Sequence, residues 1–274
     1  MPEFLALVAG LSFGFTDYMA GIVGRRLKPL ATNAFVGLGA FAVALPVALL
    51  SHAQLSWRDF NLSLAAGIFG TAGFLLFVYL MAHKKMSIVT PITSATNALT
   101  PIAYSFITGS RPHTIVSVGI VLAVVGIVLL SMAEDPNSAH DTKHAVSLSL
   151  LAGLGFGTLS ILLHKTSTQS GLWPAAVINI PPLFFLPFVI KKSLAPKMNW
   201  VRIDLALGVV IGLVLFALTY ALQHGNLAIV AALQNQYPIT AVFCAYWWQH
   251  ERLQPWQKVG FLCSLCAITI INVG

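Results

Sequence analysis

Apolar runs of about twenty residues alternate with short polar breaks along the whole chain. They fall at roughly 4–23, 31–51, 62–82, 87–108, 113–132, 146–165, 172–190, 204–223, 227–248 and 256–273. A helix needs about 20 apolar residues to cross a hydrocarbon core about 30 Å thick. The pattern therefore predicts an all-α integral membrane protein with ten transmembrane helices. Several runs contain Gly, Pro, Ser and Thr, which membrane helices tolerate and use for close packing. The longest polar run, 134–144, is a connector and not a domain.

Composition agrees with this reading. Of the 274 residues, 57% are hydrophobic and only 8% are charged, whereas soluble globular proteins carry about a quarter charged residues. So few charges cannot clothe a water-facing surface of this size. Residues 4–23 do not read as a cleaved signal peptide, since the basic cluster Arg25, Arg26 and Lys28 follows the run instead of preceding it. The three cysteines, Cys244, Cys263 and Cys266, lie inside apolar runs and imply neither a disulfide nor a zinc site.

The net charge of +7 is explained by topology before any ligand. With the N-terminus outside, the cytoplasmic connections carry Arg25, Arg26, Lys28, Lys84, Lys85, Lys143, Lys191, Lys192, Lys197, Arg202, Arg252 and Lys258. The opposite side carries Arg58, Arg111 and Lys165, so 12 of the 15 basic residues fall on one side. The positive-inside rule then predicts both termini outside.

The two parts of the chain repeat one another. Ala9-Gly10-Leu11-Ser12-Phe13-Gly14 answers Ala152-Gly153-Leu154-Gly155-Phe156-Gly157 at an offset of 143 residues. Further on the offset is 141: Pro46 matches Pro187, Gly67 matches Gly208, Tyr79 matches Tyr220, Ile88-Val89 matches Ile229-Val230, and Gly119 matches Gly260. Residues 1–133 and 146–274 are read as two versions of one five-helix unit, joined by 134–145. Five is odd, so the second unit enters the membrane from the opposite side. Such inverted repeats recur in secondary transporters, with the substrate site near mid-membrane at the repeat interface.

Candidate chemistry follows from that symmetry. Asp17 is the one acid clearly inside a predicted run, six residues before its end at Val23, or about 9 Å deep at 1.5 Å per residue. Intramembrane charges are costly and usually functional. Asp17 is a proton-coupling or cation-binding carboxylate facing a central cavity, or a structural carboxylate paired with Arg25, Arg26 or a backbone amide. Its repeat mate is Ser160. Helices four and nine are the most polar. Thr93, Ser94 and Thr96 meet Gln234, Asn235 and Tyr237 at the 141 offset, and Thr93, Asn97 and Thr100 share one helical face. These polar side chains line a substrate cavity or bond helix to helix. Tyr79 and Tyr220, and Phe13 with Phe156, are candidate aromatic walls. Tyr246, Trp247 and Trp248 read as an interfacial belt. The histidines at run ends are scattered and make no metal site.

Three stretches carry a resemblance that covers essentially the whole chain. Residues 12–21, Ser-Phe-Gly-Phe-Thr-Asp-Tyr-Met-Ala-Gly, are similar to the first-helix motif of EamA-type proteins of the drug/metabolite transporter superfamily, where a Trp usually stands at the Phe13 position. Residues 83–92 look like that family's turn from helix three into helix four. Residues 249–260 are similar to its Gly-Glu-Arg segment before the last helix, with His250 in place of the Gly. The first unit has Gly109-Ser110-Arg111 there, without the Glu. The resemblance implies a metabolite exporter, with helices four and nine lining its cavity. It also implies termini in the cytoplasm, against the loop charges.

No P-loop, Gly-x-Ser-x-Gly, His-Glu-x-x-His or paired carboxylates occur, so no enzymatic activity and no cofactor is expected. The expected function is secondary active export of small metabolites such as amino acids from a plasma or inner membrane. The candidate substrate residues are Asp17, Tyr79, Thr93, Asn97, Tyr220, Gln234, Asn235 and Tyr237. The expected partners are the substrate, membrane lipid and protons as coupling ion, with no nucleic acid. A membrane channel or a lipid-handling protein is the alternative.

Overall fold

The computed structural model describes residues 1–83, 86–109, 113–131, 142–191, 198–237, 239–240, 243, 247 and 255–273. Among them there are helices and no strand. The first repeat contributes α1 (Pro2–Gly24), α2 (Pro29–Leu50), α3 (Trp57–His83), α4 (Met86–Ile107) and α5 (Thr114–Ser131). The second contributes α6 (Thr142–His164), the short helices α7 (Trp173–Val177), α8 (Ile180–Leu183) and α9 (Leu186–Lys191), then α10 (Met198–His224), α11 (Leu227–Gln234) and α12 (Pro255–Val273). Much of the connector 134–145, the Arg111 turn, Cys244, Tyr246, Trp248 and the segment with His250, Glu251 and Arg252 lie outside the described residues.

Among the described residues, six segments are long and apolar enough to cross a membrane: Pro2–Gly24, Pro29–Leu50, Trp57–Ala82, His144–His164, Trp173–Lys191 and Met198–His224. Thr114–Leu129 and Pro255–Ile271 are shorter apolar helices. Their outer faces stay apolar, with Ile68, Phe69, Val121, Leu151 and Leu213 exposed. Such a surface suits lipid.

Two expectations need correction. The run 172–190 is not one continuous helix. Pro174, Pro181, Pro182 and Pro187 remove amide donors and crowd the preceding turns, so the segment breaks into α7, α8 and α9. Asp17 is also not alone among intrahelical acids. Helices α3 and α10 start five or six residues before the apolar runs, because a helix continues through its polar first turns. This puts Asp59 and Asp204 inside helices, and both are buried.

The helices of the two repeats pack across each other in a reciprocal pattern. Helix α1 lies against α10 and α11, and its counterpart α6 lies against α3 and α4. Helix α2 packs on α10 and α7, and α5 pairs with α12. Small residues make these approaches possible. A Cβ on Gly208 would strike the Val36 carbonyl, and one on Gly67 would lie 2.6 Å from the Ile178 carbonyl oxygen.

At one end of the molecule the connections are tied together. The Ser170 hydroxyl donates to Asp59 Oδ2 at 2.5 Å, the Trp173 indole N–H donates to the Ala53 carbonyl at 3.1 Å, and the Gln54 amide donates to the Gln169 carbonyl at 3.2 Å. The start of α1 lies near the end of α10, since a Cβ on Gly225 would be 3.0 Å from Pro2 Cβ. The end of α6 is there too: His164 Nδ1 is 2.6 Å from the Leu222 carbonyl oxygen in the last turns of α10.

Candidate functional site

The site grows out of two crossings. Where α1 meets α11, Gly10 rests on the Gln234 carbonyl and Gly14 on the Tyr237 carbonyl, with no room for a Cβ at either. Where α6 meets α4, a Cβ on Gly153 would sit 2.7 Å from the Thr93 carbonyl oxygen, and one on Gly157 would meet the Thr100 side chain at 2.5 Å. The two crossings use the residues that the repeat puts in register. The backbones are close enough there to bring side chains of four helices to one central space.

That space is a cavity enclosing about 1030 Å³, its open mouth included. Helix α1 supplies Phe13 and Asp17, one turn apart. Helix α3 presents Gly67, Gly70, Thr71, Phe74 and Phe77 on one stripe, and α6 supplies Phe156, Leu159 and Ser160. Asn33 comes from α2, Asn97 from α4, Asn179 from the break between α7 and α8, and Gln234 with Tyr237 from the end of α11. Asp17 is the only charged residue among the described lining residues. It is partly buried, and it acts electrostatically on Tyr237, whose hydroxyl interacts with Ser94 of α4.

Hydrogen bonds hold the polar walls. Gln234 Nε2 donates to Ser160 Oγ at 2.9 Å, and Ser160 Oγ donates to the Phe156 carbonyl at 3.3 Å. The Asn33 amide donates to the Thr71 carbonyl at 3.1 Å, and the Asn179 amide to the Ala175 carbonyl at 2.8 Å. Among the described residues, Asn97 Oδ1 and Gln234 Oε1 are buried without a hydrogen-bond partner.

Of the residues singled out from sequence, Asp17, Asn97, Gln234 and Tyr237 meet at this cavity, as do Phe13 and Phe156. Thr93 and Asn235 are absent from its lining. Thr93 is buried against α6, where its hydroxyl donates to the Ser149 carbonyl at 3.3 Å. Asn235 is fully buried and donates to the Ala231 carbonyl at 2.8 Å. Tyr79 and Tyr220 are 43% and 40% exposed on the outer faces of their helices. Tyr220 stacks on His224 with ring centroids 4.1 Å apart. Helical geometry explains this placement. The cavity stripe of α3 ends at Phe77 and that of α10 at Leu218, and two residues further is a rotation of about 200° at 3.6 residues per turn.

Sequence reasoning passed over Asn33, Thr71 and Asn179 as wall residues. Asn33 stands in the polar first turns of α2. Asn179 lies between prolines in a run taken as a continuous helix. Their shared signal is an amide or hydroxyl inside an otherwise apolar run. Asp204 was passed over too. It is fully buried where α10 packs on α2, with its carboxyl group beside the Thr32 hydroxyl.

A family model described as "EamA-like transporter family" matches the chain twice, at residues 1–132 and 144–273. No curated protein matches the sequence. Of the solved structures, 27 chains match. One of them, described only as "Crystal structure of protein", is similar over 98% of this chain and 96% of its own, with a TM-score of 0.75 and 12% identity. That likeness is one of fold alone.

Proposed function

The chain belongs to the EamA-like transporter family, and from that premise we propose that it is a secondary active transporter of ten spans. In this reading 1–133 and 146–274 form two inverted five-helix repeats, joined by 134–145. They alternate access to the central cavity and export small amine-bearing metabolites, amino acids among them. The observation that carries the reading is a cavity lined from both repeats where α1 and α6 cross in reciprocal fashion. Its walls are amides, hydroxyls and aromatic rings around one carboxylate. Inversion is supported by the start of α1 and the end of α6 lying at the same end of the molecule. Inverted-repeat transporters hold substrate at such an interface and expose it by rocking one half against the other.

In this reading Asp17 binds the substrate's amino group or a coupling proton, while Asn97, Gln234 and Tyr237 orient polar atoms. Thr93 and Asn235 hold the helices that carry those side chains. The multi-pass protein sits in a plasma or inner membrane, in contact with lipid. Reconstitution in proteoliposomes tests the proposal, with flux measured for a panel of amino acids and amines with and without a pH gradient. Saturable, protein-dependent flux is the expected result, and Asp17→Asn is expected to abolish its dependence on the pH gradient. Absence of flux for every member of the panel overturns it.

A further inference from the structure

The cavity wall is unbalanced in charge and in hydrogen-bonding character. Among the described residues, Asp17 is the only charged one lining it, with no lysine or arginine. Two of the wall amides turn their N–H groups toward the protein, Asn33 to the Thr71 carbonyl and Asn179 to the Ala175 carbonyl. In Gln234 the amide orientation is set by its partner. Ser160 donates its own hydroxyl hydrogen to the Phe156 carbonyl, so its oxygen accepts from Gln234 Nε2. The fully buried side-chain atoms of Asn97 and Gln234 that lack a partner among the described residues are both oxygens, Asn97 Oδ1 and Gln234 Oε1.

Phenyl rings line the same cavity as Asp17. Phe13 is one turn from Asp17 on α1, Phe74 and Phe77 come from α3, and Phe156 from α6, where Phe77 and Phe156 meet edge to face with centroids 6.3 Å apart. Aromatic faces attract cations, more strongly when water is excluded. A buried carboxylate is stabilised by a paired cation and is costly without one. An ammonium group has three donors and no acceptor, so it complements the Asp17 carboxylate. A ligand carboxylate finds no cationic partner among the described lining residues and meets Asp17 as a like charge.

We infer that the cavity selects a monocationic organic ammonium with an apolar body about the size of an aromatic ring, in preference to a zwitterionic amino acid or an organic anion. The inference rests on the transport reading for the identity of the site, and it narrows the substrate class within it. The ammonium sits at Asp17 and the ring against Phe13, Phe74, Phe77 and Phe156.

Four probes of nearly one shape test it: 2-phenylethylamine, phenylalanine, 3-phenylpropionate and the neutral 3-phenylpropanol. Equilibrium binding is measured on the purified full chain in nanodiscs. The amine is expected to bind at least tenfold more tightly than the zwitterion and the anion. Asp17→Asn is expected to weaken amine binding at least tenfold while leaving 3-phenylpropanol within twofold, which also reports an intact fold. Phe156→Leu is expected to weaken the amine and the alcohol alike. Amine binding no tighter than phenylalanine binding overturns the inference, as does amine affinity unchanged in Asp17→Asn. Tight amine binding without any flux sinks the transport reading and sustains the ammonium site. Amino-acid flux without amine binding does the reverse.

Discussion

Replacing Gly153 by alanine tests the crossing on which the site is built. A Cβ there would lie 2.6 Å from Thr96 Cβ, 2.7 Å from the Thr93 carbonyl oxygen and 3.1 Å from the Asn97 backbone nitrogen. Ordinary van der Waals contact begins near 3.4 Å, so α4 and α6 must separate by about 0.7 Å to admit it. Two of these atoms are backbone, so a rotamer change cannot relieve the clash. Overpacking of a tight interface typically costs about 1–3 kcal/mol. The separation also displaces Asn97, which lines the cavity from the same turn of α4. Gly153→Ala is therefore expected to lower the melting temperature in detergent by several degrees and to weaken substrate binding. Gly10→Ala, at the equivalent crossing on the Gln234 carbonyl, is expected to act similarly. Leu151→Ala, on an exposed face of the same helix, is the control and is expected to change stability little. A Gly153→Ala protein that melts with the wild type and binds equally well would refute the packing described.

Three further substitutions probe separate parts of the account. Ser160→Ala removes the acceptor of Gln234 Nε2 and leaves a buried donor unpaired, which costs about 1–3 kcal/mol and is read as a lowered melting temperature. Asp59→Ala strips the Ser170 hydroxyl of its acceptor at the tied end of the molecule, with a loss of similar size expected (about 1–3 kcal/mol). Asp59→Asn, which keeps an acceptor oxygen, should lose less in the same melt. Tyr79→Leu and Tyr220→Leu are expected to leave uptake within twofold of wild type, because both side chains sit on outer faces. A tenfold loss of uptake in either would return these tyrosines to the site.

The sequence carried the helical framework openly, because a lipid-facing helix needs an unbroken apolar run and few residues can interrupt one. The repeat was legible for the same reason that the glycines matter. Gly10 and Gly153, or Gly67 and Gly208, recur because backbone meets backbone at those points in both repeats. Half of the candidate site was legible as well. Asp17, Asn97, Gln234 and Tyr237 are polar residues in apolar helices, and the cost of exposing such groups to lipid drives them inward. Depth along a helix, however, does not determine azimuth. Tyr79 and Tyr220 stood at a plausible depth as repeat mates, yet they project about 200° from the last cavity residue of their helices. Thr93 faces inward but meets the backbone of α6 before it reaches the cavity. The proline breaks that bring Asn179 to the wall come from four prolines whose joint effect exceeds that of one tolerated kink. Asp204 was passed over because the run was drawn to begin on it, which made it a helix-end residue, although α10 begins at Met198.

A carrier and a channel differ in whether a substrate waiting on one side can drive the movement of substrate from the other. Counterflow in proteoliposomes measures this directly: vesicles loaded with unlabelled 2-phenylethylamine are diluted into a trace of labelled amine. Alternating access through the central cavity predicts a transient accumulation of label above its equilibrium level, lost in Asp17→Asn. Label that merely equilibrates, at the same rate with and without internal amine, would contradict it.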